Sequence, residues 1–269
     1  MFKKIFYESL KLLFIICGCL FVLFPIYFLL MTALQSNSTS ASVTETLLIK
    51  EWNFDVFISL FNKKLLSSFL LTISSSILLV IIRIIVYSLA ITGLIKIKSL
   101  RFKNYFVYFL LLISLIPEYV LYSSLKLELN NWNLTSYSWF SMITNGFVSF
   151  FIFAYTYKIA QNISDAKSRL IKIDNIKWYE KVMYVYLPEL KLSYLLLIIF
   201  TTTSVWNDYL WPKYLLSSSG KTNITLWFLY PRTNDVPLPN MIAAGAIISM
   251  LIPLSTYLSF SKFINKSTR

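Results

Sequence analysis

Apolar and polar positions along this 269-residue chain fall into long alternating blocks rather than a fine pattern. Six apolar runs stand out, at about 12–33, 66–94, 105–125, 138–158, 190–211 and 240–262. Each has the roughly 20 residues that a helix needs to cross a bilayer. None alternates with a period of two, and a segment inside hydrocarbon must satisfy its own backbone hydrogen bonds, so each predicts a helix rather than a strand. The second run exceeds a straight crossing and predicts tilt or extension beyond the membrane. The pattern as a whole predicts an all-α polytopic membrane protein with six transmembrane helices, organised as one domain over 1–269.

The polar intervals differ from one another. The first, about 34–65, opens with the coil-like SNSTSASVTET and continues into WNFDVFISLF, which has the pattern of an interfacial amphipathic helix. A short interval lies near 126–137. The interval 212–239 holds PRTNDVPLPN, too rich in proline for a helix interior. The interval 159–189 is charged yet periodic. Apolar residues recur there at Ile163, Ala166, Leu170 and Ile173, and again at Trp178, Val182 and Val185. Spacings of three and four place each set on one helix face. Asp174-Asn175 interrupts the two sets, and Asn tolerates the left-handed conformation that a tight turn requires. Leu187-Pro188 then closes the second helix and leads into the fifth run. Periodicity leaves two readings of this elbow open: a helix pair lying on the lipid surface, or a docking piece for another protein.

Composition supports the membrane reading and charge orients it. Hydrophobic residues make up 57% of the chain and charged ones 14%, against roughly 45–50% and about 25% in soluble domains. The net charge of +13 would suggest nucleic acid in a soluble protein. With the N-terminus placed in the cytoplasm, however, 17 of the 25 Lys and Arg residues fall on the cytoplasmic side and 7 outside, Arg83 lying within a run. That asymmetry predicts a multi-pass protein of the plasma (inner) membrane with both termini cytoplasmic. The basic excess is then an orientation signal plus attraction to membrane lipid, with no nucleic acid partner. The string IICGC faintly resembles a lipoprotein cleavage box, but the apolar run continues unbroken to Met31, so an uncleaved first span is expected.

Little in the chain supports catalysis. There is no His, and Cys17 and Cys19 lie two apart on one helix, pointing to nearly opposite sides. Zinc sites and histidine acid–base chemistry are excluded, and no catalytic residue, metal or cofactor is expected. The candidate functional residues are instead polar groups inside apolar runs. Arg83 sits mid-run in LLVIIRIIVYSLA, where an arginine costs about 2.5–3.5 kcal/mol on insertion scales, so it must face water or a partner. It lines a solute path, pairs structurally (with Glu118 for instance), or snorkels from a tilted helix. Glu118 follows Pro117, at a kink whose freed carbonyls can open toward a cavity, so it lines the path or packs helix to helix. Asn207 and Asp208 lie near the end of the fifth run, placed for solute contact or for interfacial anchoring beside Trp206, Tyr209 and Trp211.

One segment, TTTSVWNDYLWPKYLL from Thr201 to Leu216, is similar to the S-W-N-D-F-L-W-P-L string of carbohydrate-type permeases, matching at Trp206, Asn207, Asp208, Leu210, Trp211 and Pro212. The elbow resembles the EAA loop of membrane subunits of ATP-binding-cassette (ABC) importers, roughly E-A-A-x-x-D-G-A followed by I-x-L-P. Asp174 takes the aspartate and Leu187-Pro188 the Leu-Pro. Arg169-Leu170-Ile171 stands where Glu-Ala-Ala is usual, and Asn175 where glycine is usual. FPIYFLLMTALQ, SLRFKNY and LIPEYVLYSSL extend the likeness over nearly the whole chain, in order. The chain thus resembles the second permease subunit of carbohydrate-uptake ABC importers, the six-span maltose-transporter type.

That resemblance implies a division of labour. Two permease subunits form a translocation path for a sugar or glycerol-phosphate-type solute, two ATPase subunits power it, and an extracytoplasmic solute-binding protein delivers the solute. It implies that Arg169, Leu170, Asp174, Asn175, Leu187 and Pro188 couple the loop 159–189 to the ATPase, with Arg169 matched by a co-adapted partner. The chain holds no G-x-x-x-x-G-K-[ST], so ATP hydrolysis is expected on a separate subunit. The rival readings are a stand-alone secondary transporter, a class that usually carries more spans and an internal repeat, and a membrane enzyme.

Overall fold

The structure, a computed structural model, describes the chain except for residues 1, 42–47, 50, 174–176, 218, 231–237 and 268–269. Among the described residues every regular element is helical. In chain order these are α1 (Phe2–Ala33), α2 (Asn37–Ala41), α3 (Asp55–Leu60), α4 (Lys63–Lys96), α5 (Leu100–Ser114), α6 (Glu118–Asn131) and α7 (Ser138–Ser141). A 3₁₀ turn, Thr144–Gly146, then precedes α8 (Phe150–Ile173) and α9 (Trp178–Glu180). A π-helical stretch, Lys181–Tyr186, leads into α10 (Leu187–Glu189), α11 (Lys191–Asn207), α12 (Leu210–Leu216), α13 (Ile224–Leu229) and α14 (Pro239–Ser267).

Among the described residues, three stretches are long and apolar enough to cross a bilayer as single helices: Phe6–Ala33, Lys63–Lys96 and Pro239–Ser259. The third and fourth apolar runs, read from the sequence as continuous spans, are each broken. α5 and α6 meet at 89°, and the Ser138–Gly146 segment meets α8 at 68°. Pro117 accounts for the first break, since it has no N–H to give and disfavours helical conformation in the residue before it. The second falls at residues 147–149, directly after the Asn145-Gly146 pair that ends the 3₁₀ turn inside a greasy run. The fifth run becomes α11, whose 17 residues extend about 25 Å. That is slightly short of the hydrocarbon core, about 30 Å thick.

The chain forms two compact units, Met1–Leu66 with Thr225–Leu251, and Ser67–Ile224 with Ile252–Arg269. In the first, α1 is exposed over its apolar length from Phe6 to Tyr27, as suits a rod covered by lipid rather than water. The predicted amphipathic helix is α3. It buries Val56 and Leu60, one turn apart, and leaves Ile58 exposed, beside an exposed stacked pair of Trp52 and Phe54. The start of α14 is tied down by Asn240, fully buried, whose side-chain amide donates to the Gln35 carbonyl at 3.1 Å and to Asn37 at 2.8 Å.

Gly245 of α14 lets that helix approach α13 closely. A Cβ there would lie 2.8 Å from Phe228 Cβ and 3.2 Å from Phe228 Cα. Gly245→Ala is therefore expected to cost about 2 kcal/mol by overpacking. Gly93→Ala in α4, where nothing lies within 4 Å, should leave stability unchanged or slightly raised. Unfolding of the two variants in mixed micelles checks the contrast.

In the second unit α4 is the spine. Its Tyr87, Ile91 and Leu94 pack with Ile152, Phe153 and Tyr157 of α8, and with Tyr186, Leu190 and Leu197 around the start of α11. Leu79, two turns earlier, joins a second cluster with Tyr122, Met142, Ile143, Val205 and Trp211. The elbow differs from the expected helix pair. Its first helix is the uninterrupted end of α8, and its second is irregular, passing from α9 through the π stretch into α10. Pro188 sits at the first turn of α10 instead of closing a helix. Its missing N–H leaves a gap in the backbone ladder next to the π stretch.

Candidate functional site

Three backbone breaks of the second unit close on one cavity of about 800 Å³. The break between α5 and α6 contributes Ser114 and Glu118, and that between α7 and α8 contributes Asn145 through Ser149. The third is the end of α11, which contributes Ser204, Asn207 and Asp208. Interrupted backbone is tolerated at membrane depth only where protein buries it or where it lines a water-filled space. The breaks and the cavity therefore explain each other.

One face of α4 holds the second break in place. Leu79, Arg83 and Tyr87 follow at four-residue intervals and so stack on one side of the helix. Arg83, 3% exposed, donates from Nε to the Gly146 carbonyl at 3.0 Å and from Nη1 to Thr201 Oγ1 at 2.8 Å. Its Nη2 also donates to the Gly146 carbonyl. One turn on, the Tyr87 hydroxyl accepts from the Ser149 backbone N–H at 2.7 Å and lies 3.3 Å from the Phe147 carbonyl. Backbone groups that lose their helical partners at the break thus find side chains instead. Arg83 makes no ion pair with Glu118; its partners are a carbonyl and a hydroxyl.

The two carboxylates meet elsewhere on the wall. Asn145 Nδ2 donates to Asp208 Oδ2 at 3.2 Å and to Glu118 Oε2 at 3.4 Å, so one amide bridges the first and third breaks from the second. Asp208 ends α11 in extended conformation, and the Asn223 amide holds its carbonyl at 2.7 Å. The tryptophans on either side of Asp208 pack inside the protein, while Tyr209 is half-exposed. Trp206 and Trp211 are buried, and Trp211 Nε1 donates to the Ser141 carbonyl at 3.1 Å while its ring lies 5.0 Å from that of Tyr122. The WNDYLWP string thus divides its labour: tryptophans and Pro212 pack, while Asn207 and Asp208 face the cavity.

All four polar residues picked out from the apolar runs, Arg83, Glu118, Asn207 and Asp208, line this cavity. Asn145 and Gly146 escaped the sequence reading, although their Asn-Gly dipeptide is a turn signal within an apolar run. The elbow residues are placed differently. Arg169 and Leu170 lie in the last turns of α8, Leu187 and Pro188 open α10, and Asp174 and Asn175 lie outside the described residues. Among the described residues no three His, Cys, Asp or Glu side chains come together as a metal site.

No protein-family profile matches the chain. It is 24% identical to a probable ABC transporter permease protein of Mycoplasma pneumoniae, over 92% of this chain and 82% of the relative. A probable ABC transporter permease protein of Mycoplasma genitalium is 24% identical over 91% of this chain and 81% of its own length. The lactose transport system permease protein LacG of Rhizobium radiobacter is 24% identical over 45% of this chain and 43% of its own length. In fold, the chain matches the crystal structure of a bacterial ABC transporter involved in the import of the acidic polysaccharide alginate. The TM-score is 0.80 at 15% identity, over 97% of both chains.

The chain resembles the ABC-transporter permeases in sequence and in fold.

With these relatives, its long apolar helices mark a multi-pass membrane protein. The cavity wall also carries Phe147, Phe150 and Phe151, flat apolar faces that suit the ring carbons of a hydroxylated solute, beside amides and hydroxyls that suit its oxygens.

Proposed function

We propose that this permease forms half of the translocation path of an importer for a hydroxyl-rich solute of the sugar kind. The whole chain acts as one permease domain with six membrane crossings. It works with a second permease subunit, two ATPase subunits and an extracytoplasmic solute-binding protein. Both termini face the cytoplasm, as the Lys and Arg distribution favours, and membrane lipid covers the exposed apolar helices. The observation that carries the reading is the convergence of three helix breaks on one polar and aromatic cavity in a permease fold. The names of the lactose permease and of the alginate importer favour a saccharide.

Coupling is assigned to the loop 159–189, with Arg169, Leu170, Asp174, Asn175, Leu187 and Pro188 at the ATPase contact. Support comes from the way the loop is anchored. Tyr186 and Leu190 belong to the same buried cluster as Tyr87 of α4, whose hydroxyl binds the break at Phe147 and Ser149. A push on the loop thus reaches the cavity wall through packed side chains, as a rigid-body displacement of helices. Purification of the tagged chain from its own membrane in mild detergent tests the assembly. The expected complex holds a second permease and an ATPase whose ATP hydrolysis vanadate inhibits. A lone chain that moves solute without ATP overturns the reading.

A further inference from the structure

The charges around the cavity are unequally presented. Its cation, Arg83, is a lining residue only 3% exposed, its guanidinium bonded to the Gly146 carbonyl and the Thr201 hydroxyl. Its anions are turned outward: Glu118 is exposed and Asp208 half-exposed, both on the cavity surface. Glu118 accepts from Asn145, and Asp208 accepts from Asn145 and from the Trp211 backbone N–H. Two carboxylates offer roughly eight acceptor positions between them, so most remain open. Among the described lining residues, Arg83, Glu118 and Asp208 are the charged ones, leaving a net negative wall.

We propose that Glu118 and Asp208, held together by Asn145, select uncharged or cationic hydroxylated solutes and exclude anionic ones from this cavity. The inference rests on the reading of the cavity as a solute route. It narrows the solute class on that reading, removing phosphorylated and uronic compounds. Carboxylates accept hydrogen bonds from solute hydroxyl or ammonium groups, and these charge-assisted bonds are among the stronger ones. A carboxylate or phosphate on the solute would instead meet like charge within a space screened by low-dielectric walls, where repulsion exceeds its value in water. Arg83 offsets only one of the two carboxylates, so the wall stays net negative; two of its N–H donors are engaged by the Gly146 carbonyl and a third by the Thr201 hydroxyl, so it offers a solute anion little direct bonding.

The test uses the full chain in lipid nanodiscs with Cys17→Ser, Cys19→Ser and a single Ser204→Cys on the cavity wall. Rates of modification by a cationic (trimethylammonium-ethyl) and an anionic (sulfonato-ethyl) methanethiosulfonate are each divided by the rate with a free small thiol. The cationic reagent is expected to be favoured by about tenfold or more, and the preference should collapse in Glu118→Gln/Asp208→Asn. Glu118→Gln alone, a near-isosteric change at an exposed position, should give an intermediate ratio. Equal rates with both carboxylates present, or a ratio indifferent to their removal, overturn the charge selection while leaving the solute route standing. Failure of both reagents to react overturns both.

Discussion

Trp211→Ala should cost about 3–5 kcal/mol of stability, the range for deleting a fully buried aromatic side chain. Little hydrophobic drive separates lipid from protein interior, so the loss comes from packing and from a vacated volume rather than from exposure to water. Trp211 is 0% exposed. It lies against Tyr122 of α6 and Tyr214 of α12, with ring centroids 5.0 and 6.2 Å away, and donates to the Ser141 carbonyl at the end of α7. One side chain of α12, just past the third break, therefore ties that helix to α6 and α7, which flank the first and second. Trp132→Ala, at a position 67% exposed, supplies the control and should be close to neutral. Unfolding in mixed micelles measures both. Trp211→Phe should recover most of the packing but not the bond to Ser141, leaving a deficit of about 1 kcal/mol.

Arg83→Met is expected to be nearly as damaging, for a different reason. It strips the Gly146 carbonyl and the Thr201 hydroxyl of their donor, and bonds to a charged group are worth about 1.5–3 kcal/mol each. A second contribution has the same sign. Arginine is costly in an unpacked helix surrounded by lipid, by about 2.5–3.5 kcal/mol on insertion scales, so replacing it by Met also favours the unpacked state. The expected loss exceeds roughly 3 kcal/mol. It should be centred on residues 144–149, with backbone hydrogen exchange there at least about 100-fold faster. Arg83→Lys should rescue only in part, because a single ammonium cannot reproduce the planar fork that serves Gly146 and Thr201 together. If exchange at 144–149 were unchanged in Arg83→Met, the stapling of the break by α4 would be refuted.

Both variants bear on how far the sequence disclosed this arrangement. The helices and their order were readable because hydrocarbon demands long apolar runs and leaves little room for other patterns. Arg83, Glu118, Asn207 and Asp208 were readable for the complementary reason: a polar group in such a run is expensive unless it faces something. Their partners were less visible. Arg83 pairs with a carbonyl, and carbonyls carry no side-chain signature, so Glu118 stood out as a candidate partner although the structure keeps the two unpaired. Pro117 announced the first break, whereas the second, just after Asn145-Gly146, was masked by the apolar residues around it. The irregular second half of the elbow was hidden as well. Its apolar residues recur at helical spacing, and only the π stretch before Pro188 departs from a regular helix.

The proposed coupling of this chain to a separate motor is tested most directly by placing a photoreactive amino acid at Tyr179, exposed in α9 of the loop 159–189. Irradiation of native membranes is followed by labelling with azido-ATP. The permease should be joined to a second polypeptide that itself takes up the nucleotide label, and the joined species should be lost when the photoreactive group is moved to Trp52 in the first unit. Products containing phospholipid alone, with no nucleotide-binding polypeptide attached at Tyr179, would contradict the account.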